Sequence, residues 1–134
     1  MNTPNSEEQT IQEIPVDTLS NMNEIVSDSI FIKMQEHFRR ILFEDILYIE
    51  AAGSYCYFYL QGGSKVTVAY TLTDTMQHLS NHFFIRIHRS FIVNKKHITA
   101  YIGNIFYIGE CAIPIGRQYK KEVLSHLNIL GMNG

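Results

Sequence analysis

Arg86, His88, Arg89 and Ser90 crowd into five positions, and Lys95 and Lys96 follow closely. A second basic group, Arg117, Lys120 and Lys121, stands directly after Pro114-Ile115-Gly116. Such residues serve two kinds of chemistry. One is catalysis or metal ligation through His and Ser. The other is recognition of a polyanion, with Arg reaching base edges and Lys neutralising phosphates. The first finds little support here. Ser90 beside His88 has no third group in view to orient an imidazole. His78 and His82 lie four apart, but Ser80-Asn81 ends the helix between them, so ligand geometry is poor. There is no Gly-rich phosphate loop ending in GK[ST], no HExxH and no GxSxG. Glu44 and Asp45 are adjacent, and adjacent strand residues point to opposite faces. The expectation is therefore no catalytic residue, no metal, no cofactor, no small-molecule substrate and no enzyme.

The charge distribution favours the second chemistry without requiring it. The whole chain carries −2, yet residues 1–29 hold six acids and no Lys or Arg. All 11 Lys and Arg lie in residues 30–134 with the remaining seven acids, leaving that part at +4. A basic domain suits a nucleic acid, but a basic face can also be mere solvated surface. A β-rich protein-interaction or sensory module with an incidental basic face is thus the alternative reading. Two cysteines, Cys56 and Cys111, are too few for a disulfide scaffold and lack CxxC spacing, which fits small apolar strand residues in a reducing cytoplasm. No apolar run is long enough to span a bilayer, and no secretory signal is visible, so no membrane partner is expected.

These side chains must be positioned by strands. Residues 1–29 are polar and acidic without a sustained apolar face, and read as a flexible tail or linker. From residue 30 the pattern alternates with period two. Strands are expected at 30–34, 38–43, 46–51, 55–60, 65–69, 83–88, 98–102, 105–108 and 111–115. Leu72, Met76 and Leu79 mark a short helix over 71–79, capped by Thr71 or Thr73. Val123, Leu124, Leu127 and Leu130 mark a closing helix over 118–130, with Gly131 as its stop. Arg86 and His88 share one strand face while Ile85 and Ile87 enter the core. Tyr55, Tyr57 and Tyr59 share a face opposite Cys56, Phe58 and Leu60, the pattern of a central buried strand. The class is mainly β, with hairpins and small stacked sheets rather than a parallel α/β sheet.

Three segments in order carry a resemblance: LFEDILYIEAAGSYCYFYL at 42–60, HFFIRIHRSFIVNKKHITAY at 82–101 and IPIGRQYKKEV at 113–123. Together they resemble the LytTR domain, the DNA-binding part of many bacterial response regulators. The resemblance covers about residues 30–130, so a domain over 30–131 is expected. It implies an elongated fold of about ten short strands in three small antiparallel sheets, with one internal and one C-terminal helix. It also implies sequence-specific binding of double-stranded DNA by loops, in bacterial transcription control. Ser54 and Tyr55 would form one major-groove loop, Arg117 a second, and Arg89 the minor-groove contact between them. Asn94, Lys95, Lys96, Lys120 and Lys121 complete the expected DNA-binding set, with His88 and Glu50 orienting the loops. Tandem-repeat half-sites and self-association on DNA are implied as well. Such domains usually follow a receiver domain, whereas here only the acidic segment precedes the resemblance. The chain is accordingly the output domain of a response regulator or a stand-alone module.

Overall fold

Alternating apolar residues become strands along most of the chain. A computed structural model describes residues 28–131. Its strands are β1 Ser29–Lys33, β2 Phe38–Leu42, β3 Ile46–Ala52, β4 Tyr55–Leu60, β5 Lys65–Val68, β6 Phe84–His88, β7 Phe91–Asn94, β8 Ala100–Ile102, β9 Ile105–Ile108 and β10 Cys111–Pro114. Two helices join them, α1 Leu72–Met76 and α2 Lys120–Ser125. The strands form three antiparallel sheets: β1-β2, β5-β4-β3-β7-β6 and β10-β9-β8. This is the mainly-β, three-sheet architecture that the resemblance implied.

The five-stranded sheet is covered on both faces, which explains the apolar runs. On one face Ile49, Phe58, Val66, Phe84 and Ile92 pack with the β1-β2 hairpin through Ile32 and Ile41, with α1 through Leu72, and with Leu79 just beyond it. On the other, Ile85, Ile87 and Val93 meet Phe106, Ile108 and Ile113 of the three-stranded sheet and Val123 of α2. Ile87 is fully buried, as the strand-face reading required. Pro114, which lacks an N–H, lies on the edge strand β10, where a donor can be missing.

Several boundaries differ from expectation. β7 was not expected, yet it joins β3 to β6. Thr71 does cap α1, its hydroxyl accepting from the Asp74 N–H at 3.2 Å, but the helix ends at Met76 rather than at 79. The closing helix is also shorter than 118–130: Arg117–Tyr119 is a 3-10 turn, α2 stops at Ser125, and Leu130 is exposed. The tyrosine strand β4 is second from the edge, with β3 central. Tyr57 and Tyr59 are accordingly half-buried, since the three-stranded sheet does not cover them fully. The expected tail over 1–29 lies outside the described residues except for its end. There Ser29 is already paired with Leu42 in β1, so the strand begins sooner.

Candidate nucleic-acid interface

Three loops meet at one end of the five-stranded sheet. The first is the β3–β4 turn at Gly53-Ser54, closed by the pair Ala52 and Tyr55. Gly53 takes φ +66°, a conformation that most other residues resist. The second is the β6–β7 turn at Arg89-Ser90, tied to the first because the Ala51 N–H donates to the Ser90 carbonyl at 2.9 Å. The third precedes α2, and its Gly116 N–H donates to the Ile87 carbonyl at 2.7 Å. Segments more than sixty residues apart in sequence are thereby joined through backbone bonds.

Arg89 and Arg117 project from the second and third loops and are exposed. Among the described residues, neither guanidinium has a hydrogen-bond or ion-pair partner. Both line an open recess of about 520 Å³ with His88, Gly116, Gln118 and Tyr119. Ser54 and Tyr55 are exposed on the adjoining turn, with Tyr55 at 49%. His88 orients this end in two ways. Its Nδ1 accepts the Ser90 N–H at 3.0 Å, which latches the turn. Its Cα and Cδ2 also lie 3.5 Å from where a Cβ on Gly116 would stand, and the Tyr119 ring would be 3.0 Å from it. Gly116 has φ −68°, so glycine serves close approach there rather than a special turn.

The other expected residues divide. Lys121 is exposed on α2, one turn past Arg117. Lys120 is half-buried, and its Nζ donates to Asn104 Oδ1 at 2.5 Å, which ties α2 to the β8–β9 turn. Asn94 is fully buried, and both ends of its amide are occupied within the fold. Its Nδ2 donates to the Phe43 and Ile46 carbonyls at 2.9 and 3.0 Å, while Oδ1 accepts the Lys96 N–H at 3.0 Å. Lys95 and Lys96 follow it at the far end of β7, roughly 16 Å from the Arg89-Ser90 turn at the usual strand rise. The Lys96 ammonium sits 4.6 Å from the centre of the Phe83 ring. Glu50 makes no side-chain hydrogen bond to the three loops among the described residues. Its Oε1 accepts the Tyr59 hydroxyl at 2.8 Å on the sheet face.

The sequence of residues 36–128 matches the family model of the LytTr DNA-binding domain. The chain belongs to that family. The fold is similar to that of the LytTr DNA-binding domain described for a methyl-accepting/DNA response regulator of Bacillus cereus. That likeness has a TM-score of 0.63 and 24% identity, and covers 73% of this chain and 94% of the other. Comparison with curated proteins finds no match. Among the described residues, no helix is long and apolar enough to cross a membrane, and no group of three or more His, Cys, Asp or Glu could hold a metal.

Within this LytTr domain Arg86, a member of the basic cluster, has bonds at the loop end that the sequence did not assign to it. Arg86, on the strand face beside His88, directs its guanidinium back to the turn rather than to solvent. Nε donates to the His88 carbonyl at 2.9 Å and Nη2 to the Arg89 carbonyl at 2.5 Å. Only its place in the motif pointed there, because its acceptors are backbone atoms that residue types do not reveal. The tyrosine face beside the site is a packed aromatic surface. Tyr48 and Tyr59 stack at 4.5 Å, and the Lys65 ammonium lies 4.1 Å from the Tyr57 ring centre. Burial, reinforced by the Glu50 carboxylate, pushes the Tyr59 phenol up to about 12. Burial also raises Tyr48, whose hydroxyl accepts from Cys111 Sγ at 3.3 Å. Both phenols therefore remain neutral hydrogen-bonding groups near neutral pH.

Proposed function

We propose that this LytTr domain binds double-stranded DNA with the loop end of its five-stranded sheet, and that it acts in transcription control in the bacterial cytoplasm. The observation that carries the reading is the pair of guanidiniums, Arg89 and Arg117, that have no partner among the described residues and are presented across one recess by loops whose backbones are bonded together. Arg117 would read guanine O6 and N7 in the major groove. Arg89 suits a narrow minor groove, whose negative potential attracts guanidinium. Ser54 and Tyr55 would enter a neighbouring major groove, and Lys121 would meet phosphate. Tandem half-sites and self-association on DNA extend the same reading, in a response regulator or a stand-alone module.

The test is selection of bound duplexes from a random library, followed by affinity measurement over a range of salt. A specific site should emerge, and its affinity should fall steeply as salt rises, because bound phosphates release counterions. No enrichment of any sequence overturns the reading. The protein-interaction alternative draws on the solvent-exposed Phe31 and Phe38 of the β1-β2 hairpin. It gains if enrichment fails while the domain stays folded.

A further inference from the structure

The β6–β7 turn is a two-residue hairpin, with His88 paired to Phe91 across Arg89-Ser90. Two-residue hairpins favour Gly, Asn or Asp at their centre, because the turns that match strand twist need positive φ there. Arg89 and Ser90 are neither. The strand is also irregular at this point. The register shifts between Arg86 and His88, which leaves Ile87 as an extra residue. Bulges of this kind bend the strand and re-aim the side chains beside them. A turn of unfavourable composition on an irregular strand needs support from outside itself.

We infer that Arg86 is a positioning residue for the DNA-contact end, and the inference rests on the proposed DNA binding. Its planar fork holds the carbonyls of His88 and Arg89 together, at 2.9 and 2.5 Å. The Arg89 carbonyl is thereby fixed toward Arg86, while the Arg89 side chain is exposed. A third donor, Nη1, lies 3.5 Å from the Thr73 hydroxyl at the start of α1, which steadies the guanidinium from a separate element. His88 Nδ1 accepts from one amide of the turn, that of Ser90. The turn is therefore gripped by two side chains of its own strand, one at its carbonyls and one at that amide. Two guanidiniums share this corner, but in opposite roles: Arg86 faces backbone oxygens, whereas Arg89 meets no partner among the described residues. A lysine at 86 would keep the charge and lose the fork, since an ammonium on a flexible stem is a point donor.

Two measurements test this on the full chain. The first needs no DNA. Backbone 15N relaxation of Arg89 and Ser90 should show a loosened turn in Arg86→Ala, and in Arg86→Lys to a similar degree. Unchanged relaxation in both overturns the inference. The Lys variant carries the test alone if the Ala variant does not fold. The second is a double-mutant cycle on the selected site. Arg89→Ala should weaken binding roughly 5- to 150-fold, the range for one good contact. Arg86→Ala and Arg86→Lys should each lose a large part of that factor, and neither should weaken binding further once Arg89 is already Ala. Factors that multiply independently, with Lys as good as Arg, would instead make Arg86 a direct phosphate contact and overturn the positioning role. If the parent binds no DNA at all, the proposed function falls, while relaxation still decides whether Arg86 braces the turn.

Discussion

The two ends of the five-stranded sheet are both rich in polar residues, and one motif supplies both. Arg86-Ile87-His88-Arg89-Ser90 lies at one end, and Asn94-Lys95-Lys96-His97 at the other, with β7 between them. At the Asn94 end Asn94 and His97 are bonded to the fold, while Lys96 is exposed. Asn94 joins β7 to the carbonyls of Phe43 and Ile46. His97 Nε2 lies 2.6 Å from the Glu44 carbonyl, which also accepts from Gln61 at 2.9 Å. At the Arg89 end the backbone is held by Arg86 and His88, and Arg89 and Arg117 are left to face outward. Neighbours in sequence need not share a surface: a four-residue strand is enough to send one basic run to two ends.

The largest effects should be on folding, and should separate the ends. Asn94→Ala removes the bonds Asn94 makes to the Ile46 carbonyl and the Lys96 amide, while the Phe43 carbonyl keeps the Ile46 N–H as donor. At about 1–3 kcal/mol for each unsatisfied buried group, reduced by relaxation, it should cost roughly 2–5 kcal/mol in denaturant unfolding. Arg89→Ala, on the exposed turn, should stay within about 0.5 kcal/mol of the parent. Equal losses at the two positions would erase the distinction between a structural end and a contact end. Ile87→Ala should cost a similar 2–5 kcal/mol, since the fully buried side chain would leave a cavity between β6 and the second core. A neutral outcome there would mean that the face of β6 is misassigned.

The difference between the ends also explains what the sequence disclosed. Alternation revealed most strands, because each half-buried strand must show period two. β7 was hidden because it is not half-buried. Phe-Ile-Val-Asn has Ile92 in one core, Val93 in the other and Asn94 enclosed, so no alternation survives. The resemblance places Asn94 in the DNA-binding set by its motif position, which does not disclose that its acceptors are two backbone carbonyls about fifty residues away. The family motifs gave the three sheets and the placement of Arg89 and Arg117 on loops. They could not give the shortening of the last helix, where Leu127 packs on the core without lying in α2. A 3.6-residue stripe shows that apolar residues are buried, not that a helix is what buries them.

Binding measurements should sharpen the contact end next. Arg117→Ala should lose roughly 1–3 kcal/mol on the selected site and relax preference at one base position, as expected of a major-groove reader. Arg89→Ala should weaken binding while leaving the order of G·C orientations unchanged, because the minor groove distinguishes them poorly. Affinities for the site and its single-base variants, at one fixed salt concentration, separate these outcomes. An Arg117→Ala protein that ranks and binds all of them as the parent does would remove that loop from recognition.

The smallest expected change is at the far end, and it bears most directly on the comparison. Lys95 and Lys96 were expected to neutralise phosphates, yet they stand roughly 16 Å along β7 from the Arg89 turn. The Lys96 ammonium is stationed over Phe83, a contact worth about 0.5–1 kcal/mol at an exposed site. The Lys95→Ala/Lys96→Ala double variant should therefore lose a little stability, up to about 1 kcal/mol, and almost no DNA affinity. The dependence of affinity on salt decides the matter more cleanly than affinity alone. Each phosphate neutralised by a lysine contributes about −0.9 to the slope of log affinity against log salt. If the far end stands off the DNA, the double variant keeps the parent's slope. If both lysines meet phosphate, the slope shallows by about 1.8 and affinity falls evenly on every sequence. That result would extend the bound surface along the whole length of β7, and the two ends would then differ in what they read rather than in whether they touch.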